Sequence, residues 1–108
     1  MKKFIGVDIG GTYSRFGVVN SDGKIERMIK IHSGGEESLT PQTIASAIFK
    51  LMKGECISGV GVGVPGVVLP NGKITLTTNL KQLEGIGLKE YLENILQLPV
   101  CVENDGNA

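Results

Sequence analysis

Residues 3–12 read KFIGVDIGGT, an apolar run that ends in an aspartate, an isoleucine, two glycines and a threonine. The β-branched and aromatic residues of this run predict a strand over Lys3–Ile9, and Gly10-Gly11 predict the turn after it. Tyr13–Asn20 alternates in the manner of a second strand, and Lys24–His32 predicts a third. The first third of the chain is therefore expected to be an antiparallel meander.

The remaining two thirds predict helices alternating with strands. Thr40-Pro41 is typical of a helix N-cap followed by proline in the first turn, and the apolar spacing carries that helix towards Gly54. Valine and glycine alternate through Ile57–Val64, which suits a central strand with a helix pressed close against it. A hairpin at Asn71-Gly72, a second helix marked by Leu88, Leu92, Ile95 and Leu96, and a last strand over Pro99–Glu103 complete the chain. The order βββαβ, hairpin, αβ predicts an α/β fold with a mixed, partly parallel sheet.

Composition narrows the function classes. The 108 residues carry 11 basic and 11 acidic side chains, which argues against nucleic-acid or anionic-membrane partners. No apolar run approaches the roughly 20 residues of a membrane span, and the N-terminus does not resemble a signal peptide, so a cytoplasmic location is expected. Cys56 and Cys101 are expected to be buried apolar groups, and His32 a solvated or structural residue.

The first candidate site is Asp8-Ile9-Gly10-Gly11-Thr12. Two glycines allow backbone N–H groups to converge on a phosphate without an intervening Cβ, and Thr12 adds a hydroxyl donor. A strand-end Asp8 can hold Mg²⁺ through water, because that ion prefers oxygen ligands and keeps much of its hydration. The alternative is a plain hairpin turn capped by the aspartate.

The second candidate is Glu103-Asn104-Asp105, with its Asn–Asp pair, at the carboxyl end of the last strand, where open α/β sheets bind ligands. Such a pair can orient a substrate hydroxyl and accept its proton, although an ordinary helix N-cap explains the same residues. The third candidate joins Pro65-Gly66 to Thr78-Asn79 at the ends of a hairpin. Its neutral donors and acceptors suit sugar hydroxyls, with plain turn chemistry as the alternative.

Taken in order, these motifs resemble the N-terminal part of the ROK-family sugar kinases, which belong to the actin, Hsp70 and hexokinase superfamily. The resemblance covers the whole chain. It rests on four segments: Asp8–Thr12, Gly61–Gly66, Thr77–Leu80 and Glu103–Ala108. It implies an actin-like ATPase (ribonuclease H-like) fold with a five-stranded mixed sheet and an extra hairpin.

The resemblance also implies roles for the motif residues. Gly10, Gly11 and Thr12 would bind the phosphates of ATP, Asp8 would hold hydrated Mg²⁺, and Asp105 would be the general base. The sugar would be bound by Gly66, Val67, Thr78, Asn79, Asn104 and Asp105. The implied activity is that of a glucokinase-like hexose kinase, with a homodimer as the expected assembly and no zinc expected in this chain.

In this family, residues 1–108 correspond to the N-terminal domain, and the C-terminal domain is expected to be absent from this chain, which would leave it inactive alone. Two alternatives stay open: the sugar-sensing domain of a ROK transcriptional repressor, and a non-catalytic actin-like domain. The sugar, and the choice between ATP and polyphosphate as donor, are not specified by the sequence.

Overall fold

The computed structural model describes residues 2–10, 13–32, 39–64, 66–68, 74–77 and 87–104, and the backbone alone at 66–68, 74–77 and 104. Within these ranges the elements are β1 (Lys3–Ile9), β2 (Tyr13–Asn20), β3 (Ile25–His32), α1 (Pro41–Met52), β4 (Ile57–Val64), β5 (Gly66–Val68), β6 (Ile74–Thr77), α2 (Leu88–Leu96) and β7 (Val100–Asn104). The expected order of strands and helices is confirmed.

The main sheet has five strands in the order β3-β2-β1-β4-β7. β1, β2 and β3 form the antiparallel meander, whereas β4 runs parallel to β1, and β7 runs parallel to β4. β5 and β6 pair with each other in a separate antiparallel hairpin. The mixed sheet expected from the sequence is therefore present, and it brings the carboxyl ends of β1, β4 and β7 to one edge.

The helices begin and end where local chemistry dictates. The Thr40 hydroxyl accepts a hydrogen bond from the Thr43 N–H at 3.1 Å, and Pro41 opens α1. After α1 ends, Gly54 adopts a positive φ of 79°, which turns the chain away from the helix axis. α2 ends at Leu96: the N–H of the C-cap residue Gln97 donates to the Glu93 carbonyl, and the left-handed backbone of Gln97 turns the chain away from the helix axis.

One face of the sheet packs against both helices. The central strands bury every second residue on this face, as the valines of β4 show: Val60, Val62 and Val64 are at most 4% exposed, whereas the edge strand β3 has no fully buried residue. The apolar sides of α1 and α2 join the same cluster. Each aliphatic side chain buried in this way contributes about 1.5–3 kcal/mol of hydrophobic stabilisation.

The opposite face of the sheet, here called the bare face, carries no helix among the described residues. A Cβ built on Gly61 would meet no atom within 4 Å, and Phe4 is 42% exposed. The helices thus lie on the valine side of β4, and its glycine side is open. Cys101 alternates with buried valines and points to the bare face; Cys56 is also exposed, so the expectation that both thiols are buried is wrong.

The far end of the sheet is tied by an ion-pair cluster. The Lys3 ammonium lies 2.8 Å from the Glu26 carboxylate and 2.9 Å from that of Glu55, and its hydrogen bonds, first to Glu26, raise the pKa of Lys3. Arg27 also contacts Glu55 and donates to the Leu51 carbonyl at the end of α1. These contacts join β1, β3 and the segment after α1, and leave the other end of β1 for the candidate site.

Candidate functional site at the carboxyl edge of the sheet

The turn between β1 and β2 is closed by backbone contacts. The Gly10 N–H donates to the Tyr13 carbonyl at 3.1 Å, so that only residues 11 and 12 lie between the two partners. A Cβ on Gly10 would stand 2.5 Å from that carbonyl oxygen, which no side chain tolerates. Glycine at position 10 is therefore required by turn closure itself. Gly11 and Thr12 lie outside the described residues, and their expected phosphate contacts stay predictions.

Asp8, the last polar residue of β1, stands on the bare face next to this turn. Strand register places one residue from each strand level with it, in a line that we call the charged row: Lys30, Arg15, Asp8, Gly63 and Glu103. Because neighbouring strands lie about 4.8 Å apart, the row is a ladder of side chains across the whole sheet. Its charges run positive, positive, negative, neutral, negative.

Asp8 and Arg15 form the only ion pair that the structure describes within this row. The Arg15 Nη1 lies 4.0 Å from the Asp8 Oδ2, and both side chains are about half exposed, at 54% and 51%. Such a long, solvated contact is weak. The pair therefore balances charge without fixing the Arg15 side chain in place.

The remaining cation of the row has a different partner. The Lys30 ammonium lies 4.4 Å from the centre of the Tyr13 ring, a cation–π contact. His32 packs edge-on against the same ring with centroids 5.3 Å apart. This arrangement agrees with the prediction that His32 is a solvated or structural residue, and it holds Lys30 near Tyr13.

A groove of about 330 Å³ runs along the bare face beside Asp8 and Arg15. Its floor is lined by Gly6, Gly17 and Gly61, whose missing side chains create the space. A second hollow of about 630 Å³ continues from it past Phe4. The polar end of this open surface is the charged row.

Three of the predicted sugar-binding residues, Gly66, Val67 and Asn104, lie near the carboxyl ends of β4 and β7. Gly66 and Val67 belong to β5, directly after β4, and pair with Thr77 and Leu76 of β6. Asn104 is the last residue of β7 and lies opposite Val64 in the register. Thr78 and Asn79 are outside the described residues, and the structure gives no side chains for the others, so their sugar contacts stay predictions.

The predicted base, Asp105, also lies outside the described residues. β4 separates β1 from β7, so Asp8 and the strand that leads to Asp105 do not lie on adjacent strands. Two strand spacings amount to about 9.6 Å between the ends of those strands. The physical reason is the order of pairing. β4 follows β1 in the parallel part of the sheet and pairs with it, so β7 pairs with the outer edge of β4.

Sequence reasoning missed Arg15. The signal was present, because only two residues separate Gly10 from Tyr13, and a hairpin closed between these two sets Asp8 opposite Arg15. It also missed Ser14, whose buried hydroxyl has no hydrogen-bond partner among the described residues. Ser14 faces the helices, away from the charged row.

The residues present fit a hydrated magnesium ion better than a protein-built metal cage. Asp8 offers an accessible carboxylate, and its neighbour in the row, Gly63, has no side chain to obstruct an ion and its waters. No group of three His, Cys, Asp or Glu residues that could hold a metal comes together in the described part of the chain. Within that same part, no helix has both the length and the apolar character needed to traverse a bilayer.

Comparison with known proteins identifies relatives of this chain. The model of the ROK family matches residues 4–108. The chain is 34% identical over 107 residues to the beta-glucoside kinase of Listeria monocytogenes, covering 98% of this chain and 36% of that protein. It is 32% identical over 112 residues to a Caldicellulosiruptor sp. protein named as a xylose repressor, covering 96% of this chain and 28% of the repressor.

The structural comparison agrees. The crystal structure of a ROK family glucokinase from Streptomyces griseus, in complex with glucose and AMPPNP, superposes with a TM-score of 0.77 at 33% identity, covering 97% of this chain and 34% of that one. The expected actin-like ATPase fold is thereby confirmed. The chain spans about a third of the length of these relatives.

Proposed function

The chain belongs to the ROK family, and from that premise we propose that it works as the nucleotide- and sugar-binding N-terminal domain, residues 1–108, of an ATP-dependent hexose kinase. A second, C-terminal domain would supply the other walls of both sites. The observation that carries the proposal is the placement of Asp8, on the bare face beside a closed two-residue turn, at the sheet edge that β4 and β7 also reach.

On the phosphate side, backbone N–H groups of Gly10 and Gly11 and the Thr12 hydroxyl would bind the terminal phosphates of ATP. Asp8 would hold the hydrated Mg²⁺, which supplies charge neutralisation to the phosphates when bound. Gly63, which lies opposite Asp8 in the register and has no side chain, supports this assignment. The S. griseus glucokinase crystallised with AMPPNP, which favours ATP over polyphosphate as the donor.

On the sugar side, Gly66, Val67, Thr78, Asn79 and Asn104 would bind the hydroxyls. The Asp105 carboxylate would accept the proton of the reacting hydroxyl, whose oxygen then forms a bond to the γ-phosphorus while ADP leaves. A positioned base of this kind contributes about 10²–10⁴ in rate. Glucose is the first candidate sugar, because the S. griseus relative was crystallised with it. A homodimer in the cytoplasm, where ATP is supplied, completes the proposal.

The test is phosphoryl transfer by the complete product of the gene, followed by coupled detection of ADP with a panel of hexoses and β-glucosides. Asp105→Asn is expected to lower kcat by about 10²–10⁴ while leaving sugar binding, measured by calorimetric titration, largely intact. Asp22→Asn, in the exposed β2–β3 turn, is the matched control and should behave like the parent. An Asp105→Asn variant with full activity would remove Asp105 from the base role.

A sugar-sensing repressor is the second candidate, supported by the identity with the protein named as a xylose repressor. It differs in its prediction: sugar binding without ADP release, together with sugar-dependent binding to operator DNA in a gel-shift experiment. The balanced charge of this chain favours the kinase. A non-catalytic actin-like domain would show neither phosphoryl transfer nor DNA binding.

A further inference from the structure

β3 is an outermost strand of the main sheet, and among the described residues no strand lies beside its outer edge. A register shift interrupts its pairing next to Ile25, but from Arg27 to His32 it pairs with β2 residue by residue. This regular part contains no proline. Every second residue of such an edge turns its N–H and C=O outwards, where an extended peptide can pair with them.

A groove of about 310 Å³ lies between β3 and α1, on the side of the sheet that the helices cover. It is lined by one residue of β3 and five of α1: Ile31, Gln42, Thr43, Ser46, Ala47 and Lys50. Gln42, Ser46 and Lys50 are exposed and follow one another at every fourth residue, so they form one column along α1. The edge of β3 and this column are therefore the two walls of one open groove.

The spacing of the column matches that of an extended peptide. Four residues of helix advance about 6 Å, and the side chains on one face of a strand repeat about every 6.7 Å. Three successive side chains of an added strand would therefore meet Gln42, Ser46 and Lys50 in turn. Arg27 donates to the Leu51 carbonyl at the end of α1, so β3 runs antiparallel to α1. A peptide antiparallel to β3 then reaches Lys50 last.

Charge decides which peptide the groove fits. No acidic side chain lines it, and among the described residues none pairs with Lys50. The nearby carboxylates of Glu26 and Glu55 both contact Lys3, at 2.8 and 2.9 Å. The groove therefore has a positive side chain at one end and neutral hydrogen-bonding groups at the other. Its complement is a segment with neutral side chains followed by an acidic one.

We propose that the edge of β3 and the flank of α1 form a docking site for an extended, acidic segment of a partner protein. The segment adds a strand antiparallel to β3 and directs its side chains i, i+2 and i+4 into the groove, the last of them an aspartate or glutamate against Lys50. Pairing with the main chain of β3 supplies binding, and Lys50 supplies selectivity. The groove and the bare face lie on opposite sides of the sheet, so this inference does not depend on the proposed kinase function.

The experiment begins with a library of short random peptides, screened against the complete product of the gene and against Lys50→Glu. Peptides selected on the parent should share an acidic residue, with neutral residues two and four positions before it. Those selected on Lys50→Glu should carry a basic residue in its place, because the charge that faces them is reversed.

The consensus peptide is then titrated by fluorescence anisotropy against the parent, Lys50→Gln and Lys53→Gln. Lys53 is the matched control, because it is exposed at the same end of α1 but does not line the groove. Loss of an exposed ion pair predicts an affinity about two- to fivefold weaker for Lys50→Gln. Lys53→Gln should bind like the parent.

Hydrogen exchange locates the bound peptide. The consensus peptide should slow the exchange of backbone amides between Arg27 and His32. Ser46→Tyr, which places a bulky ring in the groove, should abolish both binding and protection, whereas Ser46→Ala should bind like the parent. Unchanged melting temperatures would show that these variants remain folded, as expected for an exposed helix position.

Equal peptide affinities of the parent and Lys50→Gln would overturn the inference, as would an equal loss in Lys53→Gln or protection outside β3. If β3 of the complete product is already protected without peptide, another part of the same chain or a second copy occupies the edge, and the docking site is refuted. Phosphoryl transfer enters none of these measurements. Failure of the docking site and failure of the kinase function are therefore distinguishable.

Discussion

Replacing Gly10 with alanine is expected to open the turn beside Asp8. The new Cβ would lie 2.5 Å from the Tyr13 carbonyl oxygen, at least half an ångström too close, and the neighbour is backbone that cannot swing aside. The hydrogen bond between the Gly10 N–H and that carbonyl, now 3.1 Å, would be lost. One lost hydrogen bond costs about 1 kcal/mol, and local backbone strain adds about 1–3 kcal/mol.

We therefore expect Gly10→Ala to lower the free energy of unfolding by about 2–4 kcal/mol. For a chain of this size that corresponds to a fall in Tm of roughly 8 °C or more. The assay is urea denaturation of the 108-residue chain followed by circular dichroism, with thermal melting as a second measurement. In the complete gene product the same change should weaken AMPPNP binding, because the turn carries the proposed phosphate contacts.

Gly61→Ala is the matched control. A Cβ at this position meets no atom within 4 Å, and its φ is not in the left-handed region. Alanine at position 61 lowers the conformational entropy of the unfolded chain and fits the folded one without a clash. It should therefore raise the free energy of unfolding by about 0.4–1 kcal/mol. If Gly10→Ala proved as stable as the parent, or if the two substitutions acted with the same sign, the reasoning from the space around each glycine would be refuted.

Two further predictions concern the scaffold. Thr40→Ala removes the hydroxyl that caps the Thr43 N–H, and should lower stability by about 1 kcal/mol, with Thr40→Ser near the parent in urea denaturation. The hydrogen bond from Lys89, and then that from the Val100 N–H, lower the pKa of Glu93 from its ordinary value of 4.5. Its ionised form therefore stabilises the fold above that pH, and the contribution is lost as the pH falls through the lowered pKa. Glu93→Gln should flatten the pH dependence of stability in this acidic window; an identical slope in both proteins would contradict it.

Much of the fold could be predicted because local signals and tertiary packing agree. The N-cap of Thr40, the alternation of Ile57–Val64 and the paired glycines after Asp8 each specify their element by short-range chemistry. The β1 and β2 bounds coincide with the predicted ones for the same reason.

The features that could not be predicted depend on long-range placement. Alternation in β4 separates two faces, but it does not say which face the helices cover. Cys101 was expected inside because apolar residues surround it in sequence, yet strand geometry points it away from Val100 and Val102. The interposition of β4 between β1 and β7 follows from sheet order, which no single segment contains. For the candidate site, the sequence motifs predicted the residue types, and the strand register showed that Arg15 lies opposite Asp8.

The two halves of the charged row are built from contacts of very different sequence separation. Asp8 and Arg15 are seven residues apart and meet through a hairpin, whereas Asp8 and Gly63 are 55 apart and Gly63 and Glu103 are 40 apart. Closing long loops is entropically unfavourable and slows folding, so contacts between distant segments form after local ones. The cationic half of the row is therefore expected to assemble early, and its acidic end to arrive with the last strand. A folding intermediate that retains only the meander would expose an anion-attracting patch before β4 and β7 have completed the candidate site.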